Sequence, residues 1–403
     1  MIFRHPYLTC ARLGIAAAAV TLLVAGCSAG EPDAPPHPVF SAPRAQQPAK
    51  ALEATAATGG FTFRQAMTFQ LGAGRATLSS EGRMAPKAGR AAGTRSWSFT
   101  ERVTTSEREA LLGLSPAPSP QPSKLGVAVD GADVLVRPGA ASYWIRHTPS
   151  DFTLDGNRNV EALAGTEVPF GGTLLELVTA GNRVTKSASA GEGRTYTVRT
   201  PAPAALALFP KDLRDMLHRG TDDAAAPLPV DLTLRTDGRG RLVRAAADLG
   251  VLKGRERGSL RSLKGIRAEM TISRYGSPAP KLPSAGLRLT ARDTIREIDE
   301  LKPGVCFDPH TGTSSDRLVV IRPCKTGHGA RILAQPELDS TYPGAAEARR
   351  QAEAACDRAV PASPAAWRAE SAKRDTHWFT WPSDKWDWSE HGAARATCYV
   401  ITR

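Results

Sequence analysis

Cysteine carries the most specific reactive chemistry in this 403-residue chain, which contains six cysteines. Four of them, Cys306, Cys324, Cys356 and Cys398, lie near the carboxyl terminus. An even number of cysteines clustered in one segment is typical of a disulfide framework in an exported protein, and four thiols allow three pairings. Zinc binding by these thiols and nearby histidines is disfavoured, because no Cys-x-x-Cys pair supplies the close ligand spacing of a structural site. We therefore expect disulfides, no metal and no cofactor.

A fifth cysteine, Cys27, directly follows the small residues Ala25 and Gly26. A basic start and an apolar run over residues 13–24 precede it, which indicates a secretory signal peptide. The run is too short for a transmembrane helix. A cysteine at this place resembles the lipobox of bacterial lipoproteins; an ordinary cleaved signal is the alternative. The resemblance implies removal of residues 1–26, acylation of the Cys27 thiol with chains such as palmitate, and a lipid anchor on the extracytoplasmic face of the cell membrane.

Composition bounds the class of protein. Apolar residues make up 41% and charged residues 23% of the chain, which is ordinary for globular protein. A chain of this length usually forms two or more domains. Abundant Ala, Gly, Pro and Arg are typical of high-GC bacteria such as actinobacteria. Motifs such as Gly-x-Ser-x-Gly, His-Glu-x-x-His and phosphate-binding glycine loops are missing from the sequence, so we expect no enzyme and name no catalytic residue.

Positive charge is concentrated in the middle of the chain. Residues 59–286 carry a formal net charge of +10, whereas residues 287–403 carry +1. The excess is densest over 235–267. A basic face suits nucleic acid, anionic lipid headgroups or an anionic wall polymer, and a solvated strand face is the alternative. Export makes nucleic acid the least suitable partner.

The elements that must position these groups differ along the chain. Residues 27–51 are rich in Pro and Ala, which is typical of a tether. Alternation of apolar and polar residues then indicates strands with one buried face. We predict strands at 61–63, 67–71, 97–99, 127–129, 134–136 and 143–145. Apolar spacing at 174–178 and 210–217 predicts short helices, so the region has α+β architecture.

The end of this region resembles a known family. A strand, a tight turn and a strand over 229–244 precede a strand over 268–275 that ends in Tyr-Gly-Ser-Pro. This order is similar to the LolA/LppX-type lipoprotein fold, and the resemblance covers residues 52–283. It implies a curved antiparallel half-barrel sheet that wraps short helices around a hydrophobic cavity for acyl chains. The inward, cavity-lining candidates are Phe61, Phe63, Phe69, Leu71, Phe99, Leu135, Trp144, Leu174, Leu177, Val178 and Met270.

Residues 284–294 are expected to be a linker, and residues 295–403 a separate small α+β domain. The latter contain Gly-Val-Cys-Phe at 304–307, Pro-Cys before His328, and Tyr-Pro-Gly at 342–344. They resemble an actinobacterial extracytoplasmic domain labelled septum formation. The resemblance implies Cys306–Cys324 and Cys356–Cys398 disulfides. In one departure, Gly-Ala-Arg follows the histidine where family members carry an acidic residue.

Five tryptophans lie in this last region. Exposed tryptophans at this density could stack on sugars or lie at a membrane interface. We favour the alternative, in which they fill the core of a small domain that has few aliphatic residues.

The leading hypothesis is a non-enzymatic, membrane-anchored lipoprotein that binds or transfers the acyl chains of a lipid or glycolipid. The alternative is an interaction module of the cell envelope or division site, whose C-terminal domain binds a protein or a wall polymer. A continuous apolar cavity in 52–283 would favour the first, and a filled core the second.

Overall fold

The computed structural model describes fourteen segments of the chain, all within the compact unit His37–Arg403. Cys27, the predicted signal and most of the helix predicted at 210–217 lie outside these segments. The described residues are 37–112, 124–139, 141–151, 172–181, 183–209, 213–214, 217, 228–252, 260–312, 317–339, 341–371, 377–382, 388 and 394–402.

The predicted strands belong to a twelve-stranded sheet that curls into a half-barrel, which confirms the α+β fold class. Its strands are β1 (Phe61–Leu71), β2 (Gly74–Ala85), β3 (Arg90–Phe99), β4 (Lys124–Asp130), β5 (Asp133–Pro138), β6 (Trp144–His147), β7 (Arg183–Ala190), β8 (Gly193–Thr200), β9 (Val230–Thr236), β10 (Leu242–Asp248), β11 (Leu263–Ser273) and β12 (Arg288–Thr290). Their spatial order is β12-β6-β5-β4-β3-β2-β1-β11-β10-β9-β8-β7. All neighbours are antiparallel except β12 and β6, which are parallel.

Strict alternation along the central strands separates an apolar inner face from a polar outer face. Every second residue of β1 is buried from Phe61 to Leu71, and the residues between them are exposed or half-buried. β9 and β11 repeat this pattern. Because successive strand residues point to opposite faces, the buried sets of these strands meet in one apolar core.

Short helices cover the inner face. The helices of this region are α1 (Pro38–Ser41), α2 (Gln47–Ala57), α3 (Thr105–Leu112), α4 (Leu174–Ala180) and α5 (Ala202–Leu206). Helix α2 begins inside the segment expected to be a tether. Its Gln47 is buried and accepts hydrogen bonds from Arg194 Nη1 at 3.0 Å and Tyr196 Oη at 3.0 Å. These long-range bonds hold α2 on the sheet.

The segment 284–294, expected to be a linker, has regular structure. A 3-10 turn over Ala285–Leu287 leads into β12, which adds to the sheet edge beside β6, and then into helix α6 (Ala291–Thr294). Pairing with an edge strand supplies hydrogen bonds that a three-residue strand could not make alone.

The rest of the chain forms a second, six-stranded antiparallel sheet with order β13-β15-β14-β16-β18-β17. Its strands are β13 (Ile295–Glu297), β14 (Cys306–Asp308), β15 (Leu318–Arg322), β16 (Ala330–Ala334), β17 (Trp378–Thr380) and β18 (Thr397–Ile401). Helices α7 (Ala345–Ala359) and α8 (Ala365–Arg368) accompany it.

The two sheets contact each other at the β6 edge. Tyr143 Oη donates a hydrogen bond to Asp308 Oδ2 at 2.8 Å, and the Arg322 guanidinium carbon lies 4.2 Å from the centroid of the Tyr143 ring. Ile145 joins this contact within a small apolar cluster that includes Ile295 of the second sheet. The chain therefore docks the second sheet on the half-barrel with both polar and apolar contacts.

Candidate functional site

The inner face of the half-barrel gathers most of the candidate residues. Phe61, Phe63, Phe69 and Leu71 lie on the inward side of β1, and Met270 lies opposite Gln65 on the neighbouring strand β11. All five candidates are at most 1% exposed. The strands thus present one apolar surface, as the alternation in the sequence predicts.

Helix α4 supplies the candidates that face the sheet from the other side. Leu174, Leu177 and Val178 are buried in the same core cluster as the strand residues. Gln65 holds the start of this helix: Leu174 N donates to Gln65 Oε1 at 2.7 Å, and Gln65 Nε2 donates to Gly172 O at 2.9 Å. A single inward glutamine therefore fixes part of the cover to the sheet.

Two aromatic side chains on β3 lie where the inner face becomes accessible. Phe99 and Trp97 are half-buried, and their rings stack with centroids 5.7 Å apart and an interplanar angle of 11°. Trp97 also lies 5.4 Å from Phe69, measured between ring centroids. Phe99 forms part of the wall of an open recess of about 530 Å³, together with Arg75 and Arg102. The candidate Phe99 therefore lies at a border between the core and solvent.

Two candidates lie on the opposite face. β5 pairs Val134 and Val136 with the inward residues of β4, so Leu135 between them points outward. Trp144 precedes Ile145, the register partner of inward Val136, and lies beneath the Arg137 guanidinium, 5.2 Å from the ring centroid. The register therefore corrects the placement of Leu135 and Trp144.

The inner face also contains a polar row that the sequence analysis missed. Gln65 on β1, Ser80 on β2 and Arg95 on β3 are neighbours in the register, and each is less than 9% exposed. Burial lowers the pKa of the Arg95 guanidinium to about 10. This group is therefore still cationic at neutral pH. The sequence Arg-Ser-Trp-Ser-Phe over 95–99 already predicts this position of Arg95, because alternate strand residues share a face and Arg95 alternates with Trp97 and Phe99.

The outer face of the sheet has a different chemistry. A recess of about 1110 Å³ crosses seven neighbouring strands, in the spatial order β4-β3-β2-β1-β11-β10-β9. It is lined mainly by polar and charged residues, among them Arg64, Glu81, Lys124 and Asp231. Arg64 Nε lies 3.3 Å from Glu81 Oε2. Acids and bases are mixed here, and none of the lipid-cavity candidates lines this recess.

The basic stretch is partly neutralised by neighbouring acids. Arg241 Nη2 lies 2.6 Å from Asp237 Oδ2, and its guanidinium carbon lies 4.1 Å from the centroid of the Tyr275 ring. Arg244 Nη2 lies 2.9 Å from Glu269 Oε2. These two arginines act in local pairs with acids that the net charge already includes.

The second sheet contains the disulfide pairing implied by the resemblance. Cys306 is bonded to Cys324, and Cys356 on α7 is bonded to Cys398 on β18. Within the described residues, no group of three or more metal-ligating side chains comes together. No described helix is both long enough and apolar enough to cross a membrane.

The carboxylate of Glu370, distant in sequence, lies beside His328. Glu370 Oε2 lies 3.3 Å from His328 Nε2 and accepts a hydrogen bond from Arg331 Nε at 2.7 Å. Arg331 Nη2 donates to the other carboxylate oxygen at 2.8 Å, and its guanidinium carbon lies 5.4 Å from the Trp367 ring centroid. Arg331 is 9% exposed, so Glu370 compensates a buried cation.

The described tryptophans of this region are mostly packed inside it. Trp388 is 2% exposed and donates its Nε1 hydrogen to Asp339 O at 2.9 Å. Trp367 and Trp381 are half-buried against the core around the Cys356–Cys398 bond. This arrangement favours the core-filling interpretation for these three residues.

Comparisons with known proteins give weak similarities. Neither a protein-family model nor a curated protein matches the chain. A DUF1329 family protein from Desulfovibrio piger matches at 11% identity and TM-score 0.25, covering 62% of this chain and 99% of that chain. A putative outer membrane lipoprotein-sorting protein domain from Vibrio parahaemolyticus matches at 11% identity and TM-score 0.22, covering 56% and 92%. MucB in complex with MucA(peri) matches at 9% identity and TM-score 0.23, covering 89% and 93%. TM-scores of this size establish no shared fold.

Proposed function

We propose that this protein is a non-enzymatic, extracytoplasmic lipoprotein, anchored to the cell membrane through Cys27, that binds or transfers the acyl chains of a lipid or glycolipid. The acyl chains would lie against the inner face of the half-barrel. The observation that carries the proposal is the continuous apolar inner face of β1, β11 and their neighbours, which the short helices close into a packed core in the described residues, so acyl chains enter only when that cover moves.

The dimensions of the sheet and its helical cover support this proposal. Strands about 4.8 Å apart make a twelve-stranded sheet roughly 50 Å wide before curling. Helices α2 and α4 have 11 and 7 residues, so they are only about 16 Å and 10 Å long. Short cover helices can be displaced separately, and each displacement exposes part of an apolar surface. Burial of acyl chains there would contribute about 25 cal/mol per Å² of apolar area.

The anchor and the binding face have complementary roles in this proposal. An anchor with two acyl chains holds a protein stably at a membrane. It would keep the half-barrel close to the lipids that it loads. Half-buried Trp97 and Phe99 give an apolar lipid chain a place to make first contact with the inner face.

The test is lipid extraction from the full chain purified from its own envelope, followed by mass spectrometry. We expect non-covalent lipid at about one molecule per chain, and reloading after delipidation. Met270→Gln, which places an amide on the inner face, should lower this occupancy. Thr271→Gln changes the adjacent outward residue and should leave occupancy unchanged. A folded protein that releases no lipid and takes up none would refute the proposal.

A further inference from the structure

Arg95 is a buried cation at an unusual place in the fold. It lies on the inward side of β3, directly opposite Ser80 of β2, and is 8% exposed. The next inward residue along β3 is Trp97, which packs against the apolar core. The guanidinium is therefore held on a face that is otherwise built for apolar contact.

No described residue neutralises this charge. Neither a hydrogen bond nor an ion pair joins the Arg95 side chain to any other residue in the described segments. The amide of Gln65, one strand beyond Ser80, is already bonded to Gly172 and Leu174. A lone buried charge is strongly unfavourable unless an anion and further hydrogen bonds compensate it.

Arg95 has one small and one large register partner, Ser80 on β2 and Leu125 on β4. Gly82 and Gly93 are register partners in the row next to Ser80 and Arg95. A Cβ at Gly82 would meet the Ala92 carbonyl and a Cβ at Gly93 would meet the Glu81 carbonyl, so the glycines let the two strands approach closely beside Arg95. A planar guanidinium with five donors in a fixed fork matches the oxygens of a carboxylate or phosphate.

An aromatic row runs along β3 from Arg95 to the wall of an open recess. Arg95, Trp97 and Phe99 share one side of β3, and four residues of strand span roughly 13 Å. Phe99 at the far end lies in the wall of the open recess that also contains Arg75 and Arg102. A molecule that entered from the recess along this row would meet the stacked aromatic rings first and the cation at its inner end.

We propose that Arg95 binds the anionic group of an amphiphile, a phosphate or carboxylate attached to an acyl chain, inside the half-barrel. This inference rests on the proposed lipid-binding function and names the class of ligand. The acyl chain lies along Trp97 and Phe99, and the anion forms a charge-assisted pair with the guanidinium. Because burial lowers the pKa of Arg95 only to about 10, the group stays charged throughout the neutral range.

The experiment compares matched ligands on the delipidated full chain by native mass spectrometry. One pair is palmitate and hexadecanol; the other is dipalmitoyl phosphatidylglycerol and dipalmitoylglycerol. We expect the charged member of each pair to bind at least tenfold more tightly. Inorganic phosphate alone should not compete at comparable concentrations, and equal competition by phosphate would overturn the amphiphile assignment in favour of a free-anion site.

Variants then assign the preference to one residue. Arg95→Met should lower the affinity for charged members at least tenfold and leave neutral members unchanged. It should also keep or raise the thermal midpoint of the ligand-free protein, because an uncompensated charge is removed. Arg90→Met is the matched control, since Arg90 lies on the same strand and pairs at the surface with Asp130 at 3.3 Å. Arg90→Met should retain the preference.

The outcomes separate the two proposals. Equal affinity for charged and neutral ligands in the unaltered protein overturns the Arg95 assignment and keeps the lipid-binding function. This comparison uses only the unaltered protein, so its result does not depend on whether a variant folds. Failure of every lipid to bind overturns both. An unchanged preference in folded Arg95→Met also overturns the assignment.

Discussion

The hydrogen bonds of Gln65 should control how easily the cover helix α4 leaves the sheet. Gln65→Met keeps the length of the side chain and removes both bonds to the start of α4. The Leu174 N–H and the Gly172 carbonyl then lose their partners, and a buried polar group without a partner costs about 1–3 kcal/mol. Together we expect a loss of about 2–4 kcal/mol in the free energy that holds α4 closed.

Hydrogen exchange measures this quantity directly. If α4 opens as a local unit, a loss of about 2–4 kcal/mol accelerates amide exchange over Leu174–Ala180 by about 30- to 800-fold. Amides of β1 and β11 should change much less, because their ladder bonds do not involve the Gln65 side chain. If lipid enters beneath α4, the rate of lipid exchange should rise in the same variant.

Gln70→Met provides the control on the same strand. Gln70 is exposed, and its side chain donates one bond to Gly74 O at 3.1 Å. We expect an effect of about 0.5 kcal/mol or less, as for most surface substitutions. Unchanged exchange over Leu174–Ala180 in Gln65→Met would contradict the argument. So would equal acceleration throughout the sheet, because Gln65 would then stabilise the sheet and not its cover.

Three further changes test other parts of the structure. Replacing Cys356 and Cys398 together by serine should lower the free energy of unfolding by about 4 kcal/mol in the chain-entropy model, since the bond spans 42 residues; thermal unfolding measures this loss. Burial alone would raise the pKa of Glu107, but hydrogen bonds to its carboxylate lower the pKa overall. The Glu107 carboxylate therefore stabilises the folded protein at neutral pH, and this contribution is lost as the pH falls below about 4.5. The midpoint of urea unfolding should decrease less with falling pH in Glu107→Gln than in the unaltered protein. Tyr143→Phe should lose about 1.5–3 kcal/mol with its bond to Asp308, seen as faster exchange in β6.

Each of these expectations has a result that contradicts it. Equal thermal midpoints with and without the Cys356–Cys398 bond would show that the loop is constrained by other contacts. An unchanged pH dependence in Glu107→Gln would assign acid unfolding to other carboxylates. Protected β6 amides in Tyr143→Phe would mean that the apolar cluster around Ile145 holds the two sheets together alone.

Sequence alternation predicted much of the half-barrel because one face of its central strands is polar. In β1 and β11 the period-two pattern assigns each side chain to a face without further information. The pattern fails in β5, where Val134, Leu135 and Val136 are consecutive apolar residues and all three are buried. Only the register with β4 decides which of them face inward. The wrong face assigned to Leu135 has this cause.

Other features were beyond local pattern because distant residues create them. Helix α2 lies in a Pro- and Ala-rich segment, and its position depends on bonds from Gln47 to Arg194 and Tyr196, more than a hundred residues away. Strand β12 has three residues, too few for a periodic signal. In the second sheet, Glu370 lies beside His328 through folding, although no acidic residue follows His328 closely in sequence.

Two buried arginines of this chain differ in whether a described residue compensates their charge. Arg331 is 9% exposed, and Glu370 accepts hydrogen bonds from it with both carboxylate oxygens. Arg95 is 8% exposed and has no such partner among the described residues. A methionine at position 95 would extend the apolar row of Trp97 and Phe99 without the desolvation penalty of a charge. A buried arginine that forms neither a hydrogen bond nor an ion pair with any described residue is the reason for proposing an anion that arrives with another molecule. The aromatic row of Trp97 and Phe99 beside it is the reason for proposing that this molecule is an amphiphile.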